Sequence, residues 1–582
     1  MSSAWHFGNT TVRNPQRIRD GLIVLQNSTL NGNLIGKKQE LLFADALDNA
    51  GVVTIANKSR DYSDMGRKWR SCFSQLGFIT HKFSRNVGSD EVDGVIREVQ
   101  SYYSFSELSG KPYEITPSGQ RMINAESLQQ QNECMLRALL AYQIPSTIEP
   151  RNGTDPFSPF VFILQVLLKL SESQDTRGLS KTEMALVQVC RSHDEVDQVI
   201  SKILSYRVNN DNAQGRVGKR HQERLLLEKI ASTAGVSWES LRDYSDVNFR
   251  YPRLTGLVSL QGKRLVVNQN KIPIIKAILK NHIIIDSSNQ NAYLNRLWNG
   301  AELPTDNEAN ALSEIDRFKE ILLNAGFSED KLPTVAPNLE IADINMIRMK
   351  YEEMYYLYLE EKFAVDQNEE NQVREIIAYL KKLDKQPIDD EFDIEIDDAP
   401  SYLEWAVWRA FLAINNLVNK PHEARRFKVD QDFFPISCAS GGGADMIFEF
   451  EDFVLVVEVT LTTSSRQEAA EGEPVRRHVA KEKLNYQESD KPVYGLFLAR
   501  SIDNNTAETF RIGVWYRGDE PDFINIVPLT LSQFIAVMEK FLSQPFENRD
   551  FRKLLDSCLI PRNAHAPAWK KEIEKQVVSF IG

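Results

Sequence analysis

No run of 18 apolar residues occurs in the 582 residues of this chain, so no segment is long enough to cross a bilayer as a helix. Its start, MSSAWHFGNTTVRNPQR, lacks the basic-then-apolar layout of a secretory signal, which points to the cytoplasm. Cysteine is scarce and scattered, at 72, 134, 190, 438 and 558, with no CxxC pair. That spacing argues against a zinc ribbon and against a disulfide framework. Ser440-Gly441-Gly442-Gly443 has no Gly-Lys-Ser/Thr after it, so it is not a phosphate-cradling P-loop. It reads as a flexible lead into the next strand, and no nucleotide cofactor is indicated. An overall positive charge is missing too, since the net charge is −12, but the sum is uneven. Residues 1–300 hold 37 Lys+Arg against 29 Asp+Glu, and the excess of acid lies beyond them. A phosphate-binding surface therefore belongs mainly to the first half.

What is present is organised around ADMIFEFEDFVLVVEVT, residues Ala444 to Thr460. Met446 to Phe450 and Phe453 to Val459 are rich in aromatic and β-branched residues, which predicts two strands joined at Glu451-Asp452. With a two-residue turn, Phe450 faces Phe453, opposed residue numbers sum to about 903, and Asp445 lies across from Glu458. Directly opposed Cβ atoms are roughly 5 Å apart, and two anions at that distance repel unless a cation offsets them. Carboxylate oxygens suit Mg²⁺, which keeps several waters and takes one or two carboxylates together with substrate phosphate. Thr460 shares the face of Glu458. The Glu-Asp pair fits poorly the φ > 0 that tight hairpin turns favour, and a longer turn would shift the register. The competing reading is a buried hairpin whose end acids simply meet solvent.

With these residues the sequence resembles the PD-(D/E)XK nuclease superfamily, whose signature is an acid opening one strand and an acid-x-Lys closing the next. The match is Asp445 and Glu458-Val459-Thr460, with Thr in the lysine's place. Within the superfamily it is similar to the AlwI group of type IIS restriction endonucleases, which includes strand-nicking relatives recognising GAGTC. FVFILQVLLKL, GLSK and FRYPRLTGLV resemble segments of that group's site-recognition half. The resemblance implies a helix glutamate before the hairpin, Glu404, metal-binding acids Asp445 and Glu458, and a downstream active-site glutamate, Glu471. Glu473 and His478 fall in the same matching segment. It further implies Mg²⁺, helped by the Val459 carbonyl, double-stranded DNA as substrate and a companion DNA methyltransferase. The second centre needed for a duplex cut would come from a transient homodimer or a small second nuclease subunit. Glu473 equally reads as the acid at a helix N-terminus before Pro474, and His478 as a surface helix histidine. Lys481 or Lys483 on the following helix could replace the missing lysine, or Glu471 could bind metal or orient water.

Taken in order, the expected fold is multidomain α+β. Residues 1–135 form a first DNA-recognition subdomain, in which Arg60, Arg67, Lys68 and Arg70 surround Trp69 and suit backbone or base-edge contacts. Thr116 and Pro117 predict a helix start. Residues 136–275 form a second, winged-helix-like subdomain. FVFILQVLLKL reads as a core helix, and Ser180-Lys181-Thr182-Glu183 has the spacing of a capping box. GRVGKRHQER brings Arg216, Lys219 and Arg220, Arg253 follows, and Leu257 to Asn268 reads as a hairpin with Lys263 and Arg264 near its tip. Residues 276–398 are an acidic helical linker that ends in DDEFDIEIDD. Residues 399–582 are the α/β PD-(D/E)XK-like cleavage domain, with a helix over Ser401 to Leu417, the hairpin, a helix from Pro474, and a strand over Val493 to Ala499. The favoured activity is a type IIS endonuclease with one metal-dependent centre per chain. The alternatives are a structure-specific repair nuclease and a DNA-binding regulator carrying a dead nuclease-like domain.

Overall fold

The computed structural model describes residues 4–81 and 112–582, apart from 56, 147, 150–154, 287–288, 390, 393, 415, 440–441, 464–465 and 490. Ser440 and Gly441 of the glycine-rich run thus lie outside the described residues. The chain forms two compact units, 1–353 and 354–582, and the division falls within one helix, Ile341–Asp366. The acidic segment 276–398 is therefore shared between the units.

The first unit is mostly helical, and its caps follow from the sequence. The Thr116 hydroxyl accepts the Gly119 N–H at 3.1 Å ahead of the helix Pro117–Asn124. Ser180 and Glu183 form a reciprocal capping box at the start of Lys181–Val187. The helix Pro159–Ser171 buries nine of its residues, as an apolar run without a polar face must. One hydrophobic cluster runs from Ala4 to Leu303, so residues 1–135 and 136–275 share a core. Trp69 belongs to that core: it packs edge-on to Phe73 at 5.7 Å, and a Cβ on Gly21 would lie 2.6 Å from its ring. The indole is therefore not the solvent-facing aromatic among cations that its neighbours suggest. Trp69, Cys72 and Phe73 form the inward stripe of the helix Ser63–Gln75, which turns Arg67 outward.

The expected hairpin is present as β1 (Val258–Gln261) and β2 (Arg264–Val267), antiparallel, with Gly262 and Lys263 both at positive φ in a two-residue turn. Leu179, just before the Lys181–Val187 helix, exchanges two 2.8 Å backbone hydrogen bonds with Leu265. Among the described residues no helix is long and apolar enough to cross a membrane.

In the second unit, two short strands, β3 (Lys428–Val429) and β4 (Pro435–Ser437), pair beside the main sheet. That sheet contains β5 (Met446–Glu449), β6 (Val454–Thr460) and β7 (Val493–Ala499). After the separate hairpin of β8 (Val514–Arg517) and β9 (Glu520–Phe523), β10 (Asn525–Thr530) completes it in the order β10-β7-β6-β5. β5 and β6 are antiparallel, while β6, β7 and β10 run parallel. The crossover from β6 to β7 carries the helix Glu473–Asn485. β7 is buried at every position, as a strand covered on both faces should be.

Met446 pairs with Val457 and Glu449 with Val454, which is the register set by a two-residue turn. Neither turn residue has positive φ. The turn is braced from outside instead: Arg552 donates to the Asp452 carbonyl at 3.0 Å and to its carboxylate at 3.1 Å. Phe450 and Phe453 stack behind it at 4.6 Å.

Candidate active site

Asp445 immediately precedes β5, and its carbonyl accepts the Arg426 N–H at 3.1 Å. The carboxylate turns toward β6, where its Oδ2 accepts the Val459 N–H at 2.9 Å. Glu458 lies near the end of β6 and is 7 % exposed. Glu404 comes from the helix Ala399–Ile414, is 6 % exposed, and accepts the Ala439 N–H at 2.7 Å. Glu471 lies on the turn leading into the helix Glu473–Asn485, near enough to the Thr460 side chain for that side chain to favour its charged form. One helix therefore supplies Glu404, the hairpin supplies Asp445 and Glu458, and the crossover supplies Glu471.

His478, on the crossover helix, completes the cluster. Its Nδ1 is 2.6 Å from Glu458 Oε1, and the residue is buried rather than on the helix surface. Glu473 does not join: it is exposed and pairs with Arg477, one helical turn on, at 3.0 Å. Its position at the helix start makes it a dipole-complementing acid.

The electrostatics of the cluster are those of crowded anions. Burial, then the charge of Asp445, pushes the Glu404 carboxyl up to about 8. Burial and Glu471 push Glu458 up to about 8 as well. Asp445 is raised well above the ordinary carboxylate range by burial and then by Glu458, against the Val459 hydrogen bond, which favours its charge. Glu471 is raised by burial, opposed by the Thr460 side chain. His478 is lowered, first by burial and then by the positive charges of Arg477 and Arg426.

These acids cannot all ionise together without a nearby positive charge, and hard oxygen donors fit a divalent cation. Among the described residues no group of three or more His, Cys, Asp or Glu side chains makes a ready cage. A hydrated Mg²⁺ held by one or two carboxylates does not require one. Val459, expected to add its carbonyl, anchors Asp445 through its N–H.

Thr460 stands where the expected motif has a lysine, and Lys483 does not reach the acids in its stead. The Lys483 ammonium is bound to Asp522 at 2.5 Å and to the Phe523 carbonyl at 2.8 Å. Lys481 is exposed on the crossover helix.

The cations expected to meet DNA divide in two. Arg60, Arg67, Arg216, Lys219, Arg220 and Lys263 are exposed, and Lys68 and Arg253 half-buried. Arg70 and Arg264 instead have inward partners. Arg70 pairs with Glu40 at 2.6 Å and lies over the Tyr113 ring. Arg264 binds Glu183 at 2.8 Å and the Gly178 carbonyl at 2.9 Å. Glu183 is completely buried and also holds Arg207, so Arg264 offsets a buried charge instead of pointing outward from the hairpin tip. A capping-box glutamate with two arginines is not readable from local spacing.

A model of the AlwI restriction endonuclease family matches residues 74–537. The chain belongs to that family. The matched span contains all five clustered residues, and membership in the AlwI family makes the protein a type II restriction enzyme, a DNA-binding nuclease. No curated protein sequence matches it. Among solved structures it is similar to the small subunit (R.BspD6I2) of the heterodimeric restriction endonuclease R.BspD6I. That likeness has 23 % identity and a TM-score of 0.28, over 35 % of this chain and 97 % of that one. A second is the BpuJ1 endonuclease binding domain in complex with pyrene- and phenanthrene-modified DNA, at 12 % identity and a TM-score of 0.29, over 48 % and 88 %.

Proposed function

We propose that this AlwI-family protein is a type IIS enzyme. Residues 1–275 bind a short asymmetric duplex site, and the acid cluster of the second unit hydrolyses a phosphodiester a few base pairs outside it, with Mg²⁺. The observation that carries this reading is the meeting of buried Glu404 and Glu458 with half-buried Asp445, tied to β6 by the Val459 N–H, and half-buried Glu471, a set in which the acids raise one another's carboxyls. A purely structural cluster would be expected to pair its acids with bases.

Asp445 and Glu458 would hold the metal, which when bound would supply Lewis-acid polarisation of the phosphate and activation of water. The Val459 N–H fixes one Asp445 oxygen and leaves the other for coordination. When Glu458 is ionised, the imidazole of His478 donates from Nδ1 and fixes the orientation of that carboxylate. Glu471 orients the attacking water or adds an oxygen ligand. No covalent enzyme intermediate is needed.

On the DNA side, a helix, the Leu179–Leu265 bridge, further helices and the β1–β2 hairpin follow in the order of a winged-helix module, which supports a recognition role for residues 136–275. Its exposed cations Arg216, Lys219, Arg220 and Lys263, with the half-buried Arg253, are the proposed contacts, together with Arg60, Arg67 and Lys68 of the first subdomain. One centre per chain cuts one strand per encounter. A duplex cut draws its second centre from a transient homodimer or a small second subunit, and a companion methyltransferase protects the cell's own sites in the cytoplasm.

The test is incubation of a supercoiled plasmid with the protein and Mg²⁺, followed by run-off sequencing of both strands. Breaks at a fixed offset from one short motif are expected, with open circles alone identifying a nicking enzyme. Scattered breaks, or breaks only at branched structures, would replace the type IIS reading with a structure-specific nuclease. Binding without any break would point to a regulator.

A further inference from the structure

The cation missing at Thr460 has a candidate on a different element. Arg426 lies between the short helix Pro421–Ala424 and β3, and its N–H is bonded to the Asp445 carbonyl. The preceding residue, Arg425, forms an isolated β-bridge with Met446 and sends its side chain inward, where it is bidentate to Glu360 at 2.6 and 2.8 Å. The Arg426 side chain is exposed and crosses Gly443, two residues before Asp445. A Cβ at Gly443 would lie 2.3 Å from Arg426 Nη1, so the guanidinium sits directly against the Gly443 backbone. The clash is with the flexible end of an exposed side chain, so a methyl group there would displace the guanidinium from its place beside the loop that leads to Asp445. The charge reaches the acids, favouring the ionised form of Glu458 and disfavouring protonation of His478.

We propose that Arg426 is a catalytic residue of this site, its guanidinium contacting a non-bridging oxygen of the scissile phosphate in place of the superfamily lysine. The inference rests on the hydrolase reading above. In the reaction the water oxygen bonds to phosphorus as the bond to the departing sugar oxygen breaks. The water releases a proton and the departing oxygen takes one from solvent, while Arg426 stays protonated throughout. A planar fork of N–H donors matches two phosphate oxygens, and its charge offsets the negative charge that builds on them.

The experiment compares Arg426→Ala, Arg426→Gln, Arg426→Lys and Gly443→Ala with the wild-type chain and with Asp445→Ala. It measures single-turnover cleavage in Mg²⁺, the salt dependence of DNA binding in Ca²⁺, and melting temperature. Arg426→Ala and Arg426→Gln should slow cleavage by about 10²-fold, the usual effect of removing one donor to a developing oxyanion, and Arg426→Lys should recover part of it. The slope of log affinity against log salt should fall by about 0.9, the loss of one phosphate contact. Melting should not change, because the side chain is exposed. Gly443→Ala should slow the wild-type enzyme by displacing the guanidinium, yet add nothing in the Arg426→Ala background. Near wild-type cleavage by Arg426→Ala, an unchanged salt slope, or a rate loss that tracks a lowered melting temperature would each overturn the assignment. If Asp445→Ala is silent while Arg426→Ala cuts at full rate, only Arg426 falls. If the wild-type chain fails to cut, or Asp445→Ala still cuts, the hydrolase reading fails and takes Arg426 with it.

Discussion

At the residue scale, two groups from one stretch of sequence, Glu473 and His478, have opposite fates. His478 is buried against Glu458, whereas Glu473 is exposed beside Arg477. His478→Ala should lower cleavage by about 10- to 100-fold, the range for groups that orient a metal ligand, with binding in Ca²⁺ retained. Glu473→Gln should leave the rate close to wild type, since an exposed ion pair contributes little. Equal losses in both variants would mean that burial is a poor guide to role here. The raised acids also set a pH dependence. Between about 4.5 and about 8 the folded, metal-free chain retains protons on Glu404 and Glu458 that the unfolded chain has released. These two acids therefore contribute stability that is lost as pH rises through that window, while His81, His282 and His478, each left unprotonated by burial, contribute in the opposite direction below about 6.5. Thermal unfolding in EDTA across pH 5 to 8, compared between the wild-type chain and Glu458→Gln, isolates the carboxyl: the variant should gain stability relative to wild type as pH rises. A difference between the two chains that does not change with pH would contradict the raised Glu458 carboxyl. Asp445 and Glu458 were legible because their strands are anchored by Phe450 and Phe453, which fix the register by counting. Arg426 was not, because it precedes the hairpin in a stretch without periodicity and meets Gly443 only through folding.

At the element scale, local chemistry predicted what local chemistry controls. The caps at Thr116 and Ser180, the turn at Gly262-Lys263 and the apolar strand over Val493–Ala499 are all set by residues within a few positions of one another. The β8–β9 hairpin was missed, since its strands are exposed and do not alternate polar with apolar. The fate of Trp69 was missed for a different reason: flanking charge says nothing about which face of a helix is inward until the partners in the core, Gly21 and Phe73, are known. The β1–β2 hairpin offers a direct contrast between its adjacent cations. Lys263→Ala should reduce the salt slope of DNA binding by about one, with a smaller effect on stability than Arg264→Ala. Arg264→Ala should lower unfolding stability by about 2 kcal/mol, less than the loss of a sole partner, because Glu183 keeps Arg207. Denaturant unfolding and salt titrations of both variants separate the two effects. Stability loss in Lys263→Ala with none in Arg264→Ala would reverse the assignment.

At the scale of the whole molecule, composition identified a basic half and an acidic half but not the division between compact units. A single core from Ala4 to Leu303 joins stretches that differ in charge, because apolar contacts far apart in sequence decide what packs together. The acid cluster and the exposed cations of residues 1–275 lie in different units. With one centre per chain, nicking should proceed at a rate independent of enzyme concentration once the DNA is saturated, while linear product should rise with further enzyme if a second copy supplies the other cut. Time courses on supercoiled plasmid measure both, and equal concentration dependence would argue against transient pairing. The central claim is that Asp445 and Glu458 form a metal-dependent cleavage centre separable from site binding. It is tested most directly by measuring, for Asp445→Ala and Glu458→Ala, cleavage in Mg²⁺ beside binding of the same duplex in Ca²⁺. Cleavage should disappear in both variants while affinity stays near that of the unaltered protein; cleavage that persists in either would contradict the account.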